Sequence, residues 1–158
     1  MSRDKINRVN KALVHWNEIT DEIAQLRQEY ESSGWETVVL HPGDVTAGTV
    51  TDGGPGFQLV VPDSEFNALE DLVGEREASF DEFEVYHAPT DDLTFYIVVL
   101  RAASLQRAVF LPVFYDPTNN IEITNSVNHN LSISIEITVI GENKLYKFLI
   151  EDSEVFSR

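Results

Sequence analysis

Leu93 to Leu100, LTFYIVVL, is the longest almost unbroken apolar run in the chain, and Arg101 closes it. Most of its residues are β-branched or aromatic, which favours a strand over a helix. A strand apolar on both faces must be covered on both faces, because a face left in water forfeits its burial. The run therefore predicts the central strand of a sheet, and the rest of the chain has to supply the cover.

The first candidate for cover is a long helix over residues 4 to 33. Its apolar positions are Ile6, Val9, Leu13, Trp16, Ile19, Ile23, Leu26 and Tyr30. Steps of three and four place them on one helical stripe. Ser2 can cap the start, and Gly34 suits the residue after the end. Thirty helical residues extend about 45 Å, so the helix is expected either to break near Thr20 or to project. The first turns carry Arg3, Lys5, Arg8 and Lys11 against Asp4. Two arrangements follow: a helix laid across one face of the sheet, or a basic-tipped arm that pairs with a second copy.

Strands are expected at Trp35–His41, Phe57–Val61, Arg107–Tyr115, Leu131–Val139 and Lys144–Ile150 besides the central run, with Val45–Thr51 and Phe80–His87 as further candidates. The HPGD sequence at 41–44 is a turn, with Pro presetting φ and Gly supplying the positive φ. Asp63 or Ser64 is expected to cap a short helix, SEFNALEDLVG, with Phe66, Leu69, Leu72 and Val73 as its buried face and Gly74 as its stop. Pro112 lacks a ladder donor, which predicts an edge position or a bulge. In Leu131–Val139 the odd positions face inward, while Ser132, Ser134, Glu136 and Thr138 face out. Short links favour antiparallel pairing. The fold class is α+β: one domain over residues 1–158, with a mostly antiparallel sheet of about six or seven strands, the long helix, a short second helix and a loose tail at 152–158.

Charge narrows the function. The chain holds 27 acids and 11 bases, a net of −16. From Asn17 to Asp92 there are 19 acids and two bases, a net of −17, and the remainder is near neutral at +1. Nine Phe, five Tyr and two Trp argue for a folded chain and against disorder. Such a surface repels nucleic acid and anionic lipid. No run approaches the roughly 20 apolar residues of a membrane span, and the polar start, MSRDKINRVN, predicts no signal peptide. The absence of cysteine removes thiol chemistry and fits a reducing compartment. A cytoplasmic location is the expectation.

No catalytic motif stands out. GxSxG, the P-loop and GxGxxG are missing, and DGGPG at 52–56 lacks the lysine and one of the amides a phosphate needs. Paired acids such as Glu70/Asp71 and Asp81/Glu82 sit in a field of acids, and none is singled out for general acid catalysis. The histidines are His15, His41, His87 and His129, without HxH, HxxxH or HExxH spacing. His41 with Asp44, together with His87 near Asp91 and Asp92, would form a divalent-metal site if their segments were neighbours. Trp16 and Trp35, with Phe114 and Tyr115, would line a ligand groove under the long helix, or simply fill the core. No cofactor is expected.

Several segments carry a resemblance: WNEIT, GWETVVLHPGDVT, LVVPDSEFNALEDLV, FDEFEVYHA, YIVVLRA and AVFLPVFYD, all within Asn10 to Asp116. Together they resemble an uncharacterised family of small acidic proteins from haloarchaea. The resemblance implies a cytoplasm rich in KCl and attributes the acidic surface to salt. It transfers no catalytic residue. The leading expectation is a non-enzymatic module that binds another protein or a second copy of itself. The alternatives are a small-molecule or metal-dependent enzyme around His41, Asp44 and His87, and an acidic mimic of nucleic acid that occupies a basic protein.

Overall fold

The computed structural model describes residues 3–50, 54–89, 94–115, 123, 125–126, 131–141 and 144–151, with the backbone alone for 3–15, 49, 88–89, 94 and 115. The Ser2 cap, His129, the side chains of Ile6, Val9, Leu13 and His15, the loop after Pro89 and the tail at 152–158 lie outside the described residues.

The elements run α1 (Arg3–Ser32), β1 (Glu36–Val39), β2 (Asp44–Thr49), β3 (Pro55–Val60), α2 (Asp63–Val73), a 3₁₀ turn (Glu77–Ser79), β4 (Glu82–Pro89), β5 (Thr94–Ala102), β6 (Arg107–Tyr115), β7 (Ile133–Thr138) and β8 (Leu145–Ile150). The α+β class holds. The single sheet of six or seven strands does not: eight strands form two four-stranded sheets, β1-β6-β5-β4 and β2-β3-β7-β8. Each sheet is mixed. β1 runs parallel to β6 and β3 parallel to β7, while the other four pairings are antiparallel.

β5 is the apolar run, and it lies between β4 and β6. Phe95, Ile97 and Val99 face α1, where they pack with Ile19, Ile23, Ala108 and Phe110. Tyr96, Val98, Leu100 and Ala102 face the second sheet and join Phe57, Leu59, Ile133, Ile135 and Ile137. The order of layers is therefore helix, first sheet, second sheet. The α1 stripe makes the first contact through Trp16, Ile19, Ile23, Leu26 and Tyr30. α1 does not break near Thr20: its hydroxyl bonds back to the Trp16 carbonyl (2.8 Å), and the helix continues to Ser32. Among the described residues no helix is long and apolar enough to cross a membrane.

α2 closes one end of the sandwich. Phe66, Leu69, Leu72 and Val73 are buried, and Gly74 ends the helix, as the pattern predicts. The cap differs from expectation: Pro62 occupies that position, and no side chain caps the helix. From this end Tyr146 of β8 donates to the Gly74 carbonyl (2.9 Å), and Arg107 of β6 to that of Leu72 (3.1 Å).

Pro112 sits in β6, an interior strand, opposite Ile97 in an unbroken register. The carbonyl of Phe110 accepts from Leu40, so alternate residues of β6 turn their polar backbone toward β1. Pro112 is the next such residue, and β1 has already ended at Val39. The missing donor thus faces a locally open edge, and it stops the β1 ladder there. The β7 pattern also needs correction. Ile133, Ile135, Ile137 and Val139 are in the core, but Leu131 is half exposed, and Ser134 and Glu136 are buried although they point away from the core.

Gly56 permits the parallel β3–β7 contact that completes the second sheet. It is paired with Ser134, and a Cβ there would overlap the Ser134 carbonyl oxygen and press on Val50 at 2.8 Å. Gly56→Ala is expected to cost about 1–3 kcal/mol as an overpacked site, seen as a lower denaturation midpoint with an unchanged slope. A wild-type midpoint would contradict this register.

Candidate functional site

Strand order decides which predicted residues meet. β1 and β4 are opposite edges of the first sheet, three spacings apart or roughly 14 Å. His41 follows β1, and Glu65 of α2 accepts from its backbone N–H and lies 3.1 Å from its Nδ1. Asp44 begins β2 in the other sheet and lines a shallow pocket with Gly43, Asp63 and Ile140. His87 is on β4, stacked on Tyr96 at 4.9 Å. The structure does not bring these three side chains together. Among the described residues no group of three or more His, Asp or Glu is arranged to hold a metal ion.

The two tryptophans lie in the layer between α1 and the first sheet. Trp16 meets Phe114 edge-on at 6.4 Å. Trp35 meets Tyr30 edge-on at 5.1 Å and lies under the Arg101 guanidinium at 5.0 Å. Glu29, Tyr30, Ser33, Trp35 and Arg101 border a depression of about 250 Å³, below the usual range of ligand pockets.

Around Arg101 is a cluster that sequence reasoning did not assemble. Glu84 of β4 accepts from the hydroxyls of Tyr30 (3.1 Å) and Tyr86 (3.0 Å) and from Arg101 Nη1 (2.9 Å). Arg101 Nε is buried without a hydrogen-bond acceptor, and the faces of Trp35 and Tyr30 lie against the guanidinium instead. Burial, followed by the Glu84 charge, pushes the Tyr30 hydroxyl far above the ordinary tyrosine range. Beside it, hydrogen bonds from Arg27 and Thr37 hold the Glu31 carboxyl below its usual range. The cluster fastens the end of α1 to β4, so one face of this edge strand is clamped. The available signal was Arg101 itself, which continues the alternation of Phe95, Ile97 and Val99 toward α1.

The other face of β4 opens on a groove. Among the described residues β4 pairs only with β5 and β8 only with β7, so the two sheets present free edges on the same side. Between these edges is a space of about 460 Å³ lined by Glu77, Ala78, Phe80, Asp81, Phe83 and residues 147–151. Its floor is apolar: Phe80 and Phe148 are buried with rings 6.0 Å apart, Ile150 is buried, and Phe83 packs on the core. Its rim carries Glu77, Asp81 and Glu151 against Lys147. Burial first, then the charges of Glu70, Glu77 and Glu75, raise the nearby Tyr146 hydroxyl. The groove thus combines an apolar floor with two free backbone edges.

Comparison with known proteins adds a family. The model of a family of unknown function, DUF7529, matches residues 3–157. The chain belongs to this family. Neither the curated proteins nor the solved structures hold a match to it. The DUF7529 match spans α1, both sheets and the groove, so it treats these layers as one unit.

The clamp predicts a pH response. Tyr30 has a folded pKa above its unfolded value, so its contribution is complete below about 10 and is lost as pH rises beyond that. Tyr30→Phe is expected to cost about 0.5–1.5 kcal/mol at neutral pH and to flatten part of the fall in stability above pH ~10. Denaturation midpoints measured across that range check it, and an unchanged alkaline slope would contradict the Tyr30–Glu84 contact.

Proposed function

We propose that this DUF7529 chain is a non-enzymatic binding module that takes an extended segment of another protein into the groove between β4 and β8. The observation that carries the reading is the pair of free strand edges bordering an apolar floor. A free edge offers unpaired N–H and C=O groups, and a segment added to it is held by ladder bonds while alternate side chains enter the groove. The clamp on the far face of β4 supports this, since an edge already fixed to α1 loses little freedom when a partner docks.

The charge fits a cytoplasm rich in KCl. In molar salt the Debye length is about 3 Å, so the acidic surface exerts no long-range pull there. Only charges in direct contact with a partner retain an effect.

Titration with a blocked octapeptide of alternating Val and Thr is expected to shift the amide resonances of residues 80–85 and 147–151 and leave β5 unchanged. Phe83→Asp, checked for folding by circular dichroism, is expected to abolish the response. Shifts confined to the Trp35 depression, or none at all, would contradict the proposal.

A further inference from the structure

We infer that the segment taken by the groove is basic, an extended strand in which Lys or Arg alternates with apolar residues. The inference rests on the binding reading above and names the partner's chemistry.

β4 is written as an alternation. Phe83 and Val85 turn toward the core between the sheets, while Glu82, Glu84 and Tyr86 turn toward α1. A strand laid along its free edge adopts the same alternation, so one set of side chains meets the apolar floor and the other stands beside the acids. The paired side of β4 already shows what complements it. On β5 the residue opposite Glu82 is Arg101, which lies 3.7 Å from Glu82 and 2.9 Å from Glu84. One arginine thus answers two carboxylates, and Glu82 remains half exposed. The groove rim continues the theme with Glu77, Asp81 and Glu151, and among the described residues that line it Lys147 is the one base.

The same charges exclude the simplest competitor. Two copies joined through their β4 edges would set Asp81, Glu82 and Glu84 near identical acids, and like charges across a strand pair are destabilising. The acidic edge therefore discourages self-pairing while it favours a basic strand. Because the contacts are close, the preference persists in concentrated salt, where long-range attraction does not.

Three blocked octapeptides separate the possibilities: alternating Lys and Val, Ser and Val, and Glu and Val. Each is titrated by fluorescence anisotropy in dilute and in molar KCl, against the full chain and against the variant Glu77→Gln/Asp81→Asn/Glu82→Gln. The Lys peptide is expected to bind about ten-fold more tightly than the Ser peptide, the sum of a few cross-strand charge pairs, and the Glu peptide not to bind. The triple variant is expected to lose the preference and keep the Ser peptide. Equal affinity for the Lys and Ser peptides, unchanged in the variant, would overturn the basic partner and leave the groove reading standing. If none of the three binds a chain shown to be folded, the groove reading falls and this inference falls with it.

Discussion

Everything in this molecule depends on the need to bury both faces of β5. A surface helix or a hairpin strand has one face to hide, whereas β5 has two, and each demands a different partner. Phe95, Ile97 and Val99 take α1; Tyr96, Val98 and Leu100 take the second sheet. Once those partners are in place, β4 and β6 are fixed as the flanks of β5. One side of the sandwich is left bounded by the free edges of β4 and β8. The groove follows from how the sheets are completed.

Polar interactions refine the arrangement at its margins. Arg101 interrupts the apolar face of β5 at the point where α1 ends, and Glu84 gathers Arg101, Tyr30 and Tyr86 into one network. A network that is nearly satisfied and half buried is worth more to geometry than to net stability, because its members also lose water. Its effect is to set β4 at a fixed place on the helix. That place determines which side of β4 is left open to the groove.

Much of this was legible in the sequence, and the rest was not for identifiable reasons. The apolar run showed β5, the stripe from Trp16 to Tyr30 showed the buried face of α1, and Phe66, Leu69, Leu72 and Val73 showed that of α2. Periodicity reports burial, so these follow directly. The division into two sheets was hidden because β1 with β6 and β3 with β7 join strands far apart in the chain. Parallel pairing at such distance leaves no local mark. The same gap left open whether the segments of His41 and His87 are neighbours, because that depends on strand order alone. Alternation told which way Ser134 and Glu136 point, but not that they are covered. The groove needed both edges to be known, and no stretch of sequence contains both.

Native-state hydrogen exchange tests the central claim, that β5 is sealed on both faces while β4 and β8 are open edges. The amides of Tyr96 to Leu100 are expected to exchange only through global unfolding, with a denaturant dependence equal to that of the whole chain. The outward amides of β4 and β8 are expected to exchange far faster, through local opening. Exchange of the β5 amides at the rate of the β4 edge, with little dependence on denaturant, would contradict the account.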